Sequence, residues 1–131
     1  MIVLDTHVLV WWVSDATKLT TRAKRAIDSA LRRGPVTASA ITIFEIATAL
    51  RRGRLELAVP VDQWLADVLA LPEVRIEPVS AVIAQLAGQL PDPFPGDPAD
   101  RLIAATAFVL KAKVVSADER LRKSPQIAAV W

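Results

Sequence analysis

A chain of 131 residues is the size of one domain and can bury enough apolar surface to fold without a covalent staple. It has no cysteine and one histidine, His7, which excludes a disulfide framework, a thiol nucleophile, a thiolate metal site and a histidine-rich zinc site. A net charge of +2 is too small to argue for nucleic acid by itself, and the 53% hydrophobic content holds no apolar run of the roughly 18 residues a membrane span needs.

The elements follow in chain order. Ile2-Val3-Leu4 reads as a first strand, with no basic region ahead of it, which predicts a soluble, cytoplasmic protein without a secretory signal. An apolar helix runs through Val8–Trp12, and residues 20–33 read as a polar helix opening at Thr20 or Thr21 and closing before Gly34-Pro35. Val36-Thr37-Ala38 is a second short strand. Ser39 then caps a helix that reaches about Arg52 and is stopped by Gly53. Val61–Leu71 is an amphipathic helix ended by Pro72, Val74–Val79 contains a third strand, and Ser80 starts a helix through Gln89. Leu90–Gly96 carries three of the nine prolines and reads as a loop. Asp97-Pro98 opens a helix to Leu110, Lys113–Ser116 is a fourth strand, a short helix follows Asp118, and Ile127–Val130 reads as a fifth strand.

This alternation predicts an α/β fold, a three-layer α/β/α sandwich with a mostly parallel sheet of four to five strands. In such sheets ligands bind beyond the carboxyl ends of the strands. Asp5 and Asp118 both stand there, each just after an apolar strand. Glu45 is the only charged residue between Ser39 and Leu50, and Asp100 opens a largely apolar helix in which Ile103, Ala104, Ala107 and Phe108 share its face. An ionised carboxylate in such surroundings needs a partner, and the runs around Asp5, Glu45 and the strand before Asp118 hold few Arg or Lys. A hard divalent cation, Mg²⁺ or Mn²⁺, would offset the charge and leave positions for a phosphate and an attacking water. Thr6 and Ser116 flank the acids and could orient them through their hydroxyls. Singly, each acid has a plainer duty: Asp5 and Asp118 as helix caps after a strand, Glu45 as an arginine's partner, Asp97 as the cap of its helix, Asp100 as a charge favouring the helix dipole. Their joint arrival at one sheet edge is the signal.

These segments resemble the PIN-domain family, in its VapC-type branch. Leu4-Asp5-Thr6-His7-Val8-Leu9-Val10-Trp11-Trp12 is similar to the family's opening motif, and Ser39–Ala47, with its acid at Glu45, to the second. Asp97–Ala107 resembles the third, Val114–Asp118 the fourth, and the closing Val130-Trp131 is also family-like. The resemblance spans nearly the whole chain and implies a single PIN domain over residues 1–131. It further implies an Mg²⁺- or Mn²⁺-dependent endoribonuclease acting on RNA (tRNA, rRNA or mRNA), as the toxin of a type II toxin–antitoxin pair. Its metal ligands map onto Asp5, Glu45, Asp100 and Asp118, with Asp97 a less direct fifth. A homodimer and a cognate VapB-type antitoxin are implied as partners, with no membrane. Two departures stand out: Pro95-Gly96 replaces a histidine common before the third motif, and Ala49 a lysine one turn after the helix glutamate.

Basic residues that could hold RNA at the acidic centre are Arg51, Arg52 and Arg101, which neighbour the acidic motifs; those of residues 22–33 read as a solvated helix face. Trp11 and Trp12 suit the core or a dimer interface, and the apolar side of the Val61–Leu71 helix suits core or a partner groove. His7 reads as an orienting or packing residue. Competing readings are an aspartate-nucleophile phosphatase, which wants a second Asp where His7 stands; a receiver-like signalling domain, which wants a central strand aspartate; and a PIN scaffold that binds without catalysis.

Overall fold

The computed structural model describes residues 1–131. Five short strands form one parallel sheet in the order β3-β2-β1-β4-β5: β1 Ile2–Leu4, β2 Val36–Ser39, β3 Val74–Glu77, β4 Lys113–Val115 and β5 Ala129–Val130. Helices α1 Thr6–Ser14, α2 Thr21–Leu31, α3 Ala40–Arg51, α4 Val61–Leu69, α5 Ala81–Gln89, α6 Pro98–Leu110 and α7 Glu119–Arg122 connect them. The α/β sandwich with a parallel five-stranded sheet expected from the sequence is the one observed, and all five strands are present. A 3₁₀ turn over Ala16–Lys18, which periodicity does not reveal, joins α1 to α2.

Alternation along the strands sorts the core into layers. Ile2, Leu4, Val36, Ala38 and Val115 face one side and pack with Val8, Leu9, Ile27, Ile46, Trp64 and Val68. Val3 and Val114 face the other side and meet Ile103 and Ala107 of α6. β1 is buried along its whole length because it lies at the centre of a sheet covered on both faces. Gly53, at φ +69°, takes the left-handed conformation that ends α3.

The strand order places the site. From β1 the chain steps outward through β2 to β3, then returns to the other side of β1 as β4 and β5. The connections therefore diverge at the carboxyl ends of β1 and β4, which leaves a crevice there. Leu4 pairs with Val115 across that junction, and the Asp5 N–H donates to the Val115 carbonyl at 3.0 Å, so the residues just past both strands are held side by side.

Candidate active site

Asp5 leaves β1 in extended conformation and caps α1. Its Oδ1 accepts from the Thr6 N–H at 2.8 Å and its Oδ2 from the Ser116 hydroxyl at 2.7 Å, and the residue is only 7% exposed. Ser116, fully buried after β4, also accepts from the Asp118 N–H at 2.9 Å. One hydroxyl thus ties together the residues that follow β1 and β4.

The Thr6 hydroxyl continues this chain to α3. It donates to Glu45 Oε1 in a short hydrogen bond and lies 3.1 Å from the Thr42 hydroxyl. Thr42 was not among the expected site residues. It stands three positions before Glu45 on the same helix, so helical spacing was the signal that pointed to it. Burial pushes the Glu45 carboxyl above its ordinary range; the Thr6 hydrogen bond pulls the other way, and the charges of Asp5 and Asp97 push it up further.

Asp97 caps α6, its Oδ1 accepting from the Asp100 N–H at 3.1 Å, as the Asp-Pro sequence predicts. Asp100 sits in the first turn with its side chain 13% exposed. Its carboxyl is pushed up to about 7, first by burial and then by the charges of Asp97, Asp5 and Asp118, against a smaller pull from Arg120. Of the residues expected on its face, Ile103, Ala104 and Ala107 are buried, whereas Phe108 is 59% exposed. Two turns along, the helix face has rotated far enough to carry Phe108 into solvent.

Asp118 caps α7 and is paired. Arg120 donates from its backbone N–H at 2.8 Å, from Nε at 3.3 Å and from Nη2 at 2.8 Å, and these bonds hold the Asp118 carboxyl below its ordinary range. The same Nη2 lies 3.3 Å from Asp100 Oδ2. The expectation that few cations neighbour the acids needs correcting here: the turn after β4 folds Arg120 back onto two of them. Asp5 and Glu45 have no guanidinium partner.

The three arginines expected to hold RNA part company. Arg52 lines a cleft of about 720 Å³ together with Thr6, His7, Phe44, Glu45, Asp97 and a further arginine outside the expected three, Arg54. Arg51, in the last turn of α3, is exposed outside that lining. Arg101 points elsewhere. Its Nε donates to the Ala87 carbonyl at 2.9 Å, its Nη1 to Pro95 at 3.2 Å, and its Nη2 to Leu90, while its guanidinium lies 5.7 Å from the Phe94 ring centroid. It fastens the Leu90–Gly96 loop to the end of α5, and so is spent on structure. His7 tilts against Trp11 at 5.7 Å, and Trp11 against Trp131 at 5.7 Å, consistent with packing.

An apolar groove of about 610 Å³ lies beside this cleft, lined by Val10, Trp11, Leu55, Leu57, Trp64 and Val68 among others. Trp64 and Val68 are the buried side of α4, and Leu69 is 54% exposed. No helix is long and apolar enough to cross a membrane.

The donor set is carboxylate and hydroxyl oxygen alone, from β1, α3, α6 and the turn after β4, which is the chemistry a hard cation takes. The side chains as they stand form no ready cage: no three His, Asp or Glu side chains are gathered to hold a metal ion. Glu45 is turned to Thr6, and Arg120 lies across Asp100 and Asp118. Burial, and then the charges of Asp97, Asp5 and Asp118, push the Asp100 carboxyl up to about 7, and a cation would offset both.

Comparison with known proteins bears on the family and the fold. The PIN domain family matches residues 2–126. The chain is 38% identical over 132 aligned residues to Ribonuclease VapC22 of Mycobacterium tuberculosis (strain ATCC 25618 / H37Rv), covering 99% of this chain and 98% of that protein. It is similar to the crystal structure of FitAcB from Neisseria gonorrhoeae (TM-score 0.69, 26% identity, covering 98% of this chain and 96% of that one). VapBC2 from Rickettsia felis, bound to a DNA fragment from its promoter, shares the fold (TM-score 0.73, 17% identity, covering 98% and 97%).

Proposed function

The chain belongs to the PIN-domain family, in its VapC-type branch, and from that premise we propose that it is an endoribonuclease, the toxin of a type II toxin–antitoxin pair. The observation that supports this reading is the network at the β1/β4 junction, in which Ser116 joins Asp5 to Asp118, Thr6 joins β1's end to Glu45, and Arg120 spans Asp118 and Asp100. The relative named as a ribonuclease supports the reaction class.

Asp5, Glu45, Asp100 and Asp118 would hold Mg²⁺ or Mn²⁺, with Asp97 contributing charge from its cap position. When bound, such a cation activates water and offsets charge on the phosphoryl oxygens. The protein's own groups do the rest. Ser116 and the Thr6 N–H orient both oxygens of Asp5, fixing the central carboxylate before substrate arrives. Thr6 and Thr42 fix Glu45. Burial raises both the Glu45 and the Asp100 carboxyls, so ionising them is disfavoured until a cation offsets the charge. Arg52 and Arg54 counter phosphate charge along the cleft that opens on Glu45.

The same reading assigns partners. A VapB-type antitoxin would lay an apolar segment in the groove of Trp11, Leu55, Leu57 and Trp64, beside the acidic cleft. A second copy would cover exposed apolar residues of α5 and α6 such as Val82 and Phe108. The site of action would be the cytoplasm, where RNA is found.

The test is cleavage of end-labelled single-stranded RNA by purified chain with Mn²⁺ or Mg²⁺, repeated with chelator and with Asp5→Asn. Cleavage that needs the cation and Asp5 is expected. Folded protein that leaves RNA intact under all conditions overturns the nuclease reading, and cleavage indifferent to chelation overturns the cation's part in it.

A further inference from the structure

Arg120 is the second residue of the four-residue helix α7. Its guanidinium spans two carboxylates from different elements: Nη2 lies 2.8 Å from Asp118 Oδ2 and 3.3 Å from Asp100 Oδ2, and Nε lies 3.3 Å from Asp118 Oδ1. It makes no side-chain hydrogen bond to any other residue. The Arg120 side chain is 64% exposed, whereas Asp100 and Asp118 are 13% and 24% exposed. A planar donor fork with a long exposed stem therefore lies over two less exposed acids, at the place where positive charge is most wanted.

The fit is partial. Three bonds run from Arg120 to Asp118, one of them from the backbone, whereas the single contact to Asp100 is long at 3.3 Å. A guanidinium carries one positive charge and can only donate hydrogen bonds, whereas a divalent cation carries two and accepts lone pairs from several oxygens at once. The guanidinium takes lone pairs and adds positive charge at the same oxygens, Asp100 Oδ2 and Asp118 Oδ2, so it competes there with a cation.

We propose that Arg120 is a displaceable internal counter-ion: it clamps Asp100 to Asp118 in the metal-free chain and competes with a divalent cation for their oxygens. This rests on the reading that these carboxylates are cation ligands. The clamp keeps the acids together and sets the cation affinity below what they would give alone. Exposed ion pairs of this kind change an equilibrium constant by at most about fivefold, so release is easy once a cation is present.

The experiment is Mn²⁺ titration of the full chain, with free Mn²⁺ read by electron paramagnetic resonance, alongside thermal melting in chelator and at saturating Mn²⁺. R120Q is expected to bind Mn²⁺ about fivefold more tightly than wild type. Its melting temperature should fall below wild type in chelator, and the gap should close at saturating Mn²⁺. R120K keeps the charge but lacks the fork, and should fall between the two. If R120Q does not fold, R120K decides, and wild-type affinity in R120K overturns the proposal. Equal or weaker Mn²⁺ binding by R120Q, while Asp100→Asn still abolishes binding, also overturns the clamp and leaves the cation site standing. Absence of Mn²⁺ binding in both wild type and R120Q removes the underlying site itself.

Discussion

The Ser116 hydroxyl donates to Asp5 Oδ2 at 2.7 Å, joining residues 111 positions apart across the β4/β1 junction, while its oxygen accepts from the Asp118 N–H at 2.9 Å. A fully buried hydroxyl with both functions used fixes the spacing of the two acids that follow the strands. Removing it should cost orientation before it costs the fold. Ser116→Ala is expected to reduce RNA cleavage about tenfold or more, with affinity for RNA nearly unchanged. It also leaves an Asp5 oxygen and an N–H without partners, lowering stability by about 1–3 kcal/mol. Single-turnover kinetics and denaturant melts read the two effects, and unchanged single-turnover rates would show that Ser116 only packs.

Asp100 predicts a pH dependence with a definite sign. Its carboxyl rises from an ordinary 3.8 to about 7 in the folded chain, so the folded state holds a proton that the unfolded state gives up. The metal-free fold therefore loses stability as pH rises from about 4 to about 7, because ionising Asp100 costs more in the folded chain. Asp100→Asn should remove much of that loss, raising chelated stability at pH 8 by about 2 kcal/mol after allowing for screening. Mn²⁺ affinity in wild type should climb over the same interval, since the ligand must be ionised. Melts at pH 5 and pH 8 in chelator check this; a D100N variant that is no more stable than wild type at pH 8 contradicts it.

Arg101 is predicted to matter for stability and not for RNA. Its guanidinium serves carbonyls of Ala87, Leu90 and Pro95 and stacks near Phe94, holding the loop that leads into Asp97. Arg101→Ala should cost about 1–3 kcal/mol, because the partly buried carbonyls lose charge-assisted partners. The salt dependence of RNA binding should not change. A flatter salt slope for this variant would return Arg101 to the RNA contacts.

Arg52 and Arg54 carry the opposite expectation. Both are exposed and line the cleft beside Glu45. The R52Q/R54Q double variant should melt within about 0.5 kcal/mol of wild type yet bind RNA more weakly. The slope of log affinity against log salt should flatten by about 1.4 for two lost phosphate contacts on a single strand. Filter binding at several salt concentrations measures it, and an unaltered slope removes both residues from the RNA path.

Local chemistry made much of this protein legible. The apolar triplet Ile2–Leu4, the strand at Lys113–Val115, the caps Ser39, Ser80 and Asp97, and the stop at Gly53 lie where short-range rules put them, because capping and burial periodicity act within a few residues. Asp5, Glu45, Asp100 and Asp118 stood out because charge is rare inside apolar segments. Which cations those acids meet was decided only in three dimensions. Arg120 and Arg101 each follow an acid closely in sequence, yet one curls back across Asp100 and Asp118 and the other turns away to the loop carbonyls. A long side chain spans several ångströms and chooses among partners supplied by distant segments, so its direction depends on packing that no local window contains. The sequence by itself determined the strands, the helices and the supply of carboxylates; the tertiary structure decided their spacing, the hydroxyl that joins them and the guanidinium that covers two of them.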